Sequence, residues 1–127
     1  MIVNIPISLG ELVDKISILL IKEKNISEEK KLSKIREELS LLKNTLNNTI
    51  NDNNIKNYLN KLMDINAKLW KIEDDLRDCE RNNKFDKIFI DLARSVYTTN
   101  DKRSEIKNEI NKKFGSTIVE VKSYKKY

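Results

Sequence analysis

Apolar residues recur at helical spacing in four stretches of this chain, separated by short polar breaks. The first, residues 9–24, carries Leu9, Leu12, Val13, Ile16, Leu19 and Leu20 on one stripe. Ile18 and Ile21 point almost the other way, beside Asp14. In the second, Leu32, Ile35, Leu39, Leu42 and Leu46 step 3-4-3-4, the seam of a short heptad pattern on an otherwise polar helix. The third runs from Ile55 to about Arg81 on Ile55, Tyr58, Leu59, Leu62, Leu69 and Leu76. The fourth, residues 85–114, aligns Phe85, Ile88, Phe89, Leu92, Val96, Ile106, Ile110 and Phe114. Both ends change period. Residues 1–7 alternate through Val3, Ile5 and Ile7, and residues 117–121 are β-rich, so the ends are expected to pair as two short strands. The pattern predicts a mainly α fold in one domain, residues 1–127. It is an antiparallel bundle or coiled-coil hairpin of four helices, with a two-stranded ribbon from the chain ends.

Local signals place the breaks. Ser8 and Glu11 have capping-box spacing, which gives Glu11 a structural role, and Ile7 and Leu12 sit where a hydrophobic staple forms. Ser27 is expected to cap the second helix and Asn83 the fourth, with Asp86 in its first turn. Residues 51–54 read as a polar turn, and Phe114-Gly115 as a left-handed helix end. Two glycines and one proline leave too little punctuation for an all-β fold.

The fourth stripe breaks its own rule. Thr99 and Arg103 fall on the apolar line and Asn100 on its edge, where packing alone would place Leu or Ile. The third stripe does the same with Asn66, Glu73 and Glu80, and Arg77 stands one turn after Glu73. Helices joined by a short turn are antiparallel neighbours, so these groups face one another. Asn66, Glu73, Arg77, Asn100 and Arg103 are therefore expected to line a pocket for a small anionic ligand, a phosphate or a carboxylate. Glu73 is its candidate catalytic acid or base. The competing expectation is structural: Arg103 pairs with Glu73 to fix register, or reaches water at the bundle edge.

Composition narrows the chemistry. The absence of His excludes His-based triads and His metal ligands, and the single Cys79 cannot close an intrachain disulfide. The acids around Glu73 point around the helix rather than to one side, so neither metal nor cofactor is expected. A net charge of +5 is spread among interspersed acids, and aromatic residues do not alternate with a basic stripe, so nucleic-acid binding is not expected. The longest apolar run, Ile18 to Ile21, cannot span a membrane, and no signal segment is visible. The expectation is a cytoplasmic protein. Helix 1 with two apolar faces and helix 2 with an open seam predict a homodimer with Ile18 and Ile21 at its interface. On this reading the protein works without catalysis, by oligomerising or by binding a partner. The alternative is a small enzyme or ligand-binding protein using the pocket.

Four segments carry a resemblance: residues 5–16 (IPISLGELVDKI), 69–75 (LWKIEDD), 92–97 (LARSVY) with 100–103 (NDKR), and 119–124 (VEVKSY). Together they resemble an uncharacterised family of short bacterial and viral proteins, over nearly the whole chain except helix 2 and the 51–54 turn. The resemblance implies a link to surface-glycan assembly, with a protein partner in that process; a nucleotide sugar joins phosphate and carboxylate as a candidate anion for the pocket between the third and fourth helices. It brings no activity. Glu73, Arg94, Tyr97, Asn100, Asp101 and Arg103 fall in its motif stretches.

Overall fold

A computed structural model describes all residues, 1–127. Four helices follow one another: α1 (Leu9–Asn25), α2 (Glu29–Thr49), α3 (Asn54–Arg81) and α4 (Lys87–Lys113). α1 packs against each of the other three, α3 packs along α4, and α2 packs on α1. The core is built around α1: Leu12, Val13, Ile16 and Leu19 meet Ile35, Leu39 and Leu46 from α2, Leu62 from α3 and Ile110 from α4. α2 thus buries its seam within the chain. Both faces of α1 are also used internally. Ile21 is buried and Ile18 half-buried, so the reasoning from a second exposed face of α1 to a dimer does not carry.

The contacts fix direction. Gly10 meets Asn111, and Asp14 lies beside Lys107 and Arg103, so α1 runs antiparallel to α4. Asp14 and Ser17 meet Asn66, while Ile18 and Ile21 share a groove with Leu69 and Glu73, so α1 runs parallel to α3. Gly10 is what lets the first helix in. A Cβ there would sit 2.5 Å from the Lys107 carbonyl oxygen.

The start of α1 is closed by the far end of the chain. Ser8 Oγ accepts from Glu11 N–H at 3.1 Å, as the capping spacing predicts. Leu9 N–H donates to Ser116 Oγ at 3.2 Å and Gly10 N–H to Asn111 Oδ1 at 2.7 Å. The unpaired N–H groups of a helix start are thereby satisfied. Glu11 does not reach back to Ser8; its carboxylate is taken by Lys107.

Three expectations are corrected. The ribbon does not form: neither residues 1–7 nor 117–121 are in a strand. Two strands alone are marginal, and here Glu120 is drawn onto α4 by Lys107 at 3.1 Å. Asn83 ends α3 instead of starting α4. It takes φ 52°, with its own N–H donating to the Glu80 carbonyl and that of Lys84 to the Cys79 carbonyl. These two bonds are the Schellman closure. Asp86 is the cap of α4 and accepts from Ile88 N–H at 3.1 Å. Ser27 makes no cap bond, and α2 starts after Glu28. Gly115, at φ 70°, ends α4 as predicted. No helix is long and apolar enough to cross a membrane.

Candidate functional site

A helix stripe that carries Asn or Arg must either solvate them or give them partners. Here α1, α3 and α4 give them one another. Asn66, buried on α3, donates from Nδ2 to Asp14 Oδ1 at 2.9 Å and to Ser17 Oγ at 2.7 Å. The Ser17 hydroxyl donates back to the Asp14 carbonyl at 2.6 Å. Asp14 is 2% exposed and Ser17 fully enclosed. Asn66 Oδ1 accepts from Arg103 Nη1 at 3.3 Å. The second carboxylate oxygen of Asp14 has Lys107 Nζ at 3.9 Å and Arg103 Nε at 4.0 Å.

Lys107 is the pivot on the other side. Its ammonium, 4% exposed as a residue, lies 2.8 Å from Glu11 and 3.1 Å from Glu120. Burial works against that charge, but the bonds to Glu11 and Glu120 and the negative charge of Asp14 outweigh it and raise the pKa above the ordinary lysine value. Glu120 is shifted the opposite way. Its bond from Lys122, 2.7 Å, leads, burial opposes, and Lys107 adds to the lowering. Carboxylates and cations in this network are matched in number: Glu11, Asp14 and Glu120 against Arg103, Lys107 and Lys122.

All five residues predicted for the pocket line one groove between α1, α3 and α4. Asn66, Glu73, Arg77, Asn100 and Arg103 surround about 540 Å³, with Trp70 as an aromatic wall. The predicted pairing within it is corrected. Glu73 holds Arg77, one turn along its own helix, at 2.8 Å, and Arg103 turns to Asp14 and Asn66 instead. A nearby i,i+4 partner captures Glu73 before it can cross to α4. Asn100 and Arg103 also line a second, larger cavity of about 820 Å³ between α4 and the C-terminal segment, walled by Tyr97, Tyr124 and Tyr127. Nowhere do three His, Cys, Asp or Glu side chains converge as metal ligands would.

Sequence reasoning missed Asp14, Ser17 and Lys107. Asp14 and Ser17 sit one turn apart on α1, on the side next to Ile18 and Ile21, and an acid between apolar residues there was a usable signal. Lys107 lies four residues after Arg103 and three before Ile110, a second cation on the inner side of α4.

The full span of the fold matches a known family. Residues 2–127 match the description "Family of unknown function (DUF6165)". The chain belongs to this family. That bears out the resemblance to an uncharacterised family, and within DUF6165 the polar cluster rests on its geometry alone. No curated protein and no solved structure matches the chain.

Proposed function

We propose that this chain is a non-catalytic helical binding protein whose groove between α1, α3 and α4 takes a small anionic ligand at Arg103. The observation that carries this reading is the incomplete bonding of that guanidinium. Arg103 has one long hydrogen bond, 3.3 Å to Asn66, and no carboxylate nearer than 4.0 Å. Its side chain is 30% exposed and lines the groove. A guanidinium offers five donors in a planar fork suited to a carboxylate or phosphate. Asp14 behind it is shared with Lys107 and orients it without saturating it. Trp70 and Ile18 supply an apolar wall for the rest of the ligand, and Asn100 supplies an amide. Glu73 also lines the groove, its carboxylate neutralised by Arg77 one turn along α3 at 2.8 Å. In surface-glycan assembly, the context the resemblance implies, a nucleotide sugar fits this description.

The test is thermal unfolding of the full chain with inorganic phosphate, citrate and a nucleoside diphosphate sugar. A ligand at 100 times its Kd adds about 2.7 kcal/mol. Wild type should be stabilised by at least one of the three, and Arg103→Met should lose that response while remaining folded. No response from any of them, or an equal response in the variant, overturns the reading.

A further inference from the structure

After Gly115 the chain turns back, and residues 116–127 run along α4 toward its start. Two side-chain links hold this strap to the helix: Glu120 on Lys107, and the Tyr127 hydroxyl donating to Asp101. No backbone–backbone hydrogen bond reaches residues 117–127. Between the two links the strap arches over the cavity of about 820 Å³, a volume suited to a small organic molecule. Arg103 and Asn100 line both this cavity and the groove of the proposed site, so they form the ridge between the two. At 100° per residue, Ser104 and Tyr97 lie about 40° and 60° further round α4 than Asn100, under the strap.

The walls of the cavity are not neutral. Five cations line it against three carboxylates, a surplus of two. Glu120 is bonded by Lys107 and Lys122, and Asp101 by Tyr127. Lys125 and Lys126 are exposed and make no ion pair, and Arg103 has no carboxylate nearer than 4.0 Å.

We infer that the anion held at Arg103 is a nucleoside diphosphate lying across this ridge. One phosphate sits on Arg103, the other under Lys125 and Lys126, and the base lies against Tyr97. The inference rests on the reading of Arg103 as an anion site. A ligand with a single anionic group would leave Lys125 and Lys126 unmatched, whereas two linked phosphates answer both sets of cations. The ring has its own place. Tyr97, 44% exposed, meets Tyr127 edge to face with centroids 5.2 Å apart, so the two do not stack and a planar ring can lie on one of them. Asn100 and Asn108 bring amides that both donate and accept, as the polar edge of a base requires. Glu105, the one lining carboxylate with no bonded partner, accepts only and suits a ribose hydroxyl. Entry costs little, because the strap is held by one side-chain link at each end.

Calorimetric titration of the full chain with inorganic phosphate, pyrophosphate and adenosine diphosphate, at fixed ionic strength, tests this. Pyrophosphate should bind about tenfold more tightly than phosphate, and adenosine diphosphate about tenfold more tightly again. Lys125→Gln with Lys126→Gln should remove the first step, and Tyr97→Ala the second. Lys112→Gln with Lys113→Gln removes the same charge from an exposed pair outside the cavity and should leave both steps in place. A pyrophosphate preference that survives the first pair of substitutions, or falls equally with the second pair, overturns the inference. So does adenosine diphosphate binding no tighter than pyrophosphate. In those outcomes the anion site itself still stands if phosphate binding is lost in Arg103→Met. Failure of all three compounds to bind removes the site and the inference together.

Discussion

Asn66 and Asp14 lie 52 residues apart in the chain and are joined by a 2.9 Å hydrogen bond inside the bundle. The amide is the closest donor to a carboxylate that is almost wholly enclosed, and it makes α3 and α1 a matched pair. Its removal should therefore cost more than a neutral hydrogen bond. Asn66→Leu is expected to destabilise the protein by about 3 kcal/mol, because a buried anion loses its donor. Asp14→Leu in that background should return part of the loss. Urea unfolding of the two single variants and the double should give a coupling of about 1–3 kcal/mol.

Arg103 should be coupled to Asp14 and uncoupled from Glu73. Arg103→Met combined with Glu73→Gln should be additive within about 0.5 kcal/mol, while Arg103→Met with Asp14→Asn should not be. The same unfolding cycles decide it. Strong coupling to Glu73 would mean that the α3–α4 pair forms after all.

Stability should fall at both ends of the pH range through the Lys107 cluster. The pKa of Lys107 in the folded chain stands above 10.5, so its contribution is complete below that value and is lost as the pH rises through the raised one. Glu120 stands below 4.5, so its contribution is present above that value and is lost as the pH falls through the lowered one. Denaturation midpoints measured against pH should show both limbs. Lys107→Met should flatten the alkaline limb, and Glu120→Gln should reduce the acid one.

Gly10→Ala should destabilise despite alanine's better helix propensity. The added Cβ would meet the Lys107 carbonyl oxygen at 2.5 Å and Asn111 Oδ1 at 3.0 Å. α1 must then move off α4, stretching the 2.7 Å Gly10–Asn111 bond. Overpacking of this kind costs about 1–3 kcal/mol. A thermal melt is sufficient, and an unchanged or higher midpoint would show that the two helices can separate freely.

Periodicity carried the helices and the pocket but not the pairings inside it. Arg103 and Asn66 could be found because 100° steps put them on apolar stripes, and both do face inward. The same steps say which face a residue occupies without saying which helix covers it. Asp14 therefore read as part of a surface shared with another subunit, when α3 covers that side. Lys107 was hidden for a different reason. Lysine is so often solvated that its place on α4 meant little until Glu11 and Glu120 were seen around it. Asn83 shows the limit at helix ends. The same residue type suits the start of one helix and the left-handed end of another, and the bonds of Asn83 and Lys84 back to α3 decide the matter. The alternation at the two chain ends carried no information about pairing, since two strands need a third element that this bundle does not offer them.

The closure of α1 by Asn111 and Ser116 has a consequence for how the protein is made. α1 precedes the other three helices in the chain, with apolar residues on two sides, yet Leu9 and Gly10 find their acceptors more than 100 residues later. Contacts of such long range form late. α1 can pack on α2 as soon as both are made, but its N-terminus is closed only when α4 is in place, and a chain that stops before residue 110 leaves Val13 and Ile16 without Ile110 to lie against. Such a fragment presents sticky surface to chaperones and proteases.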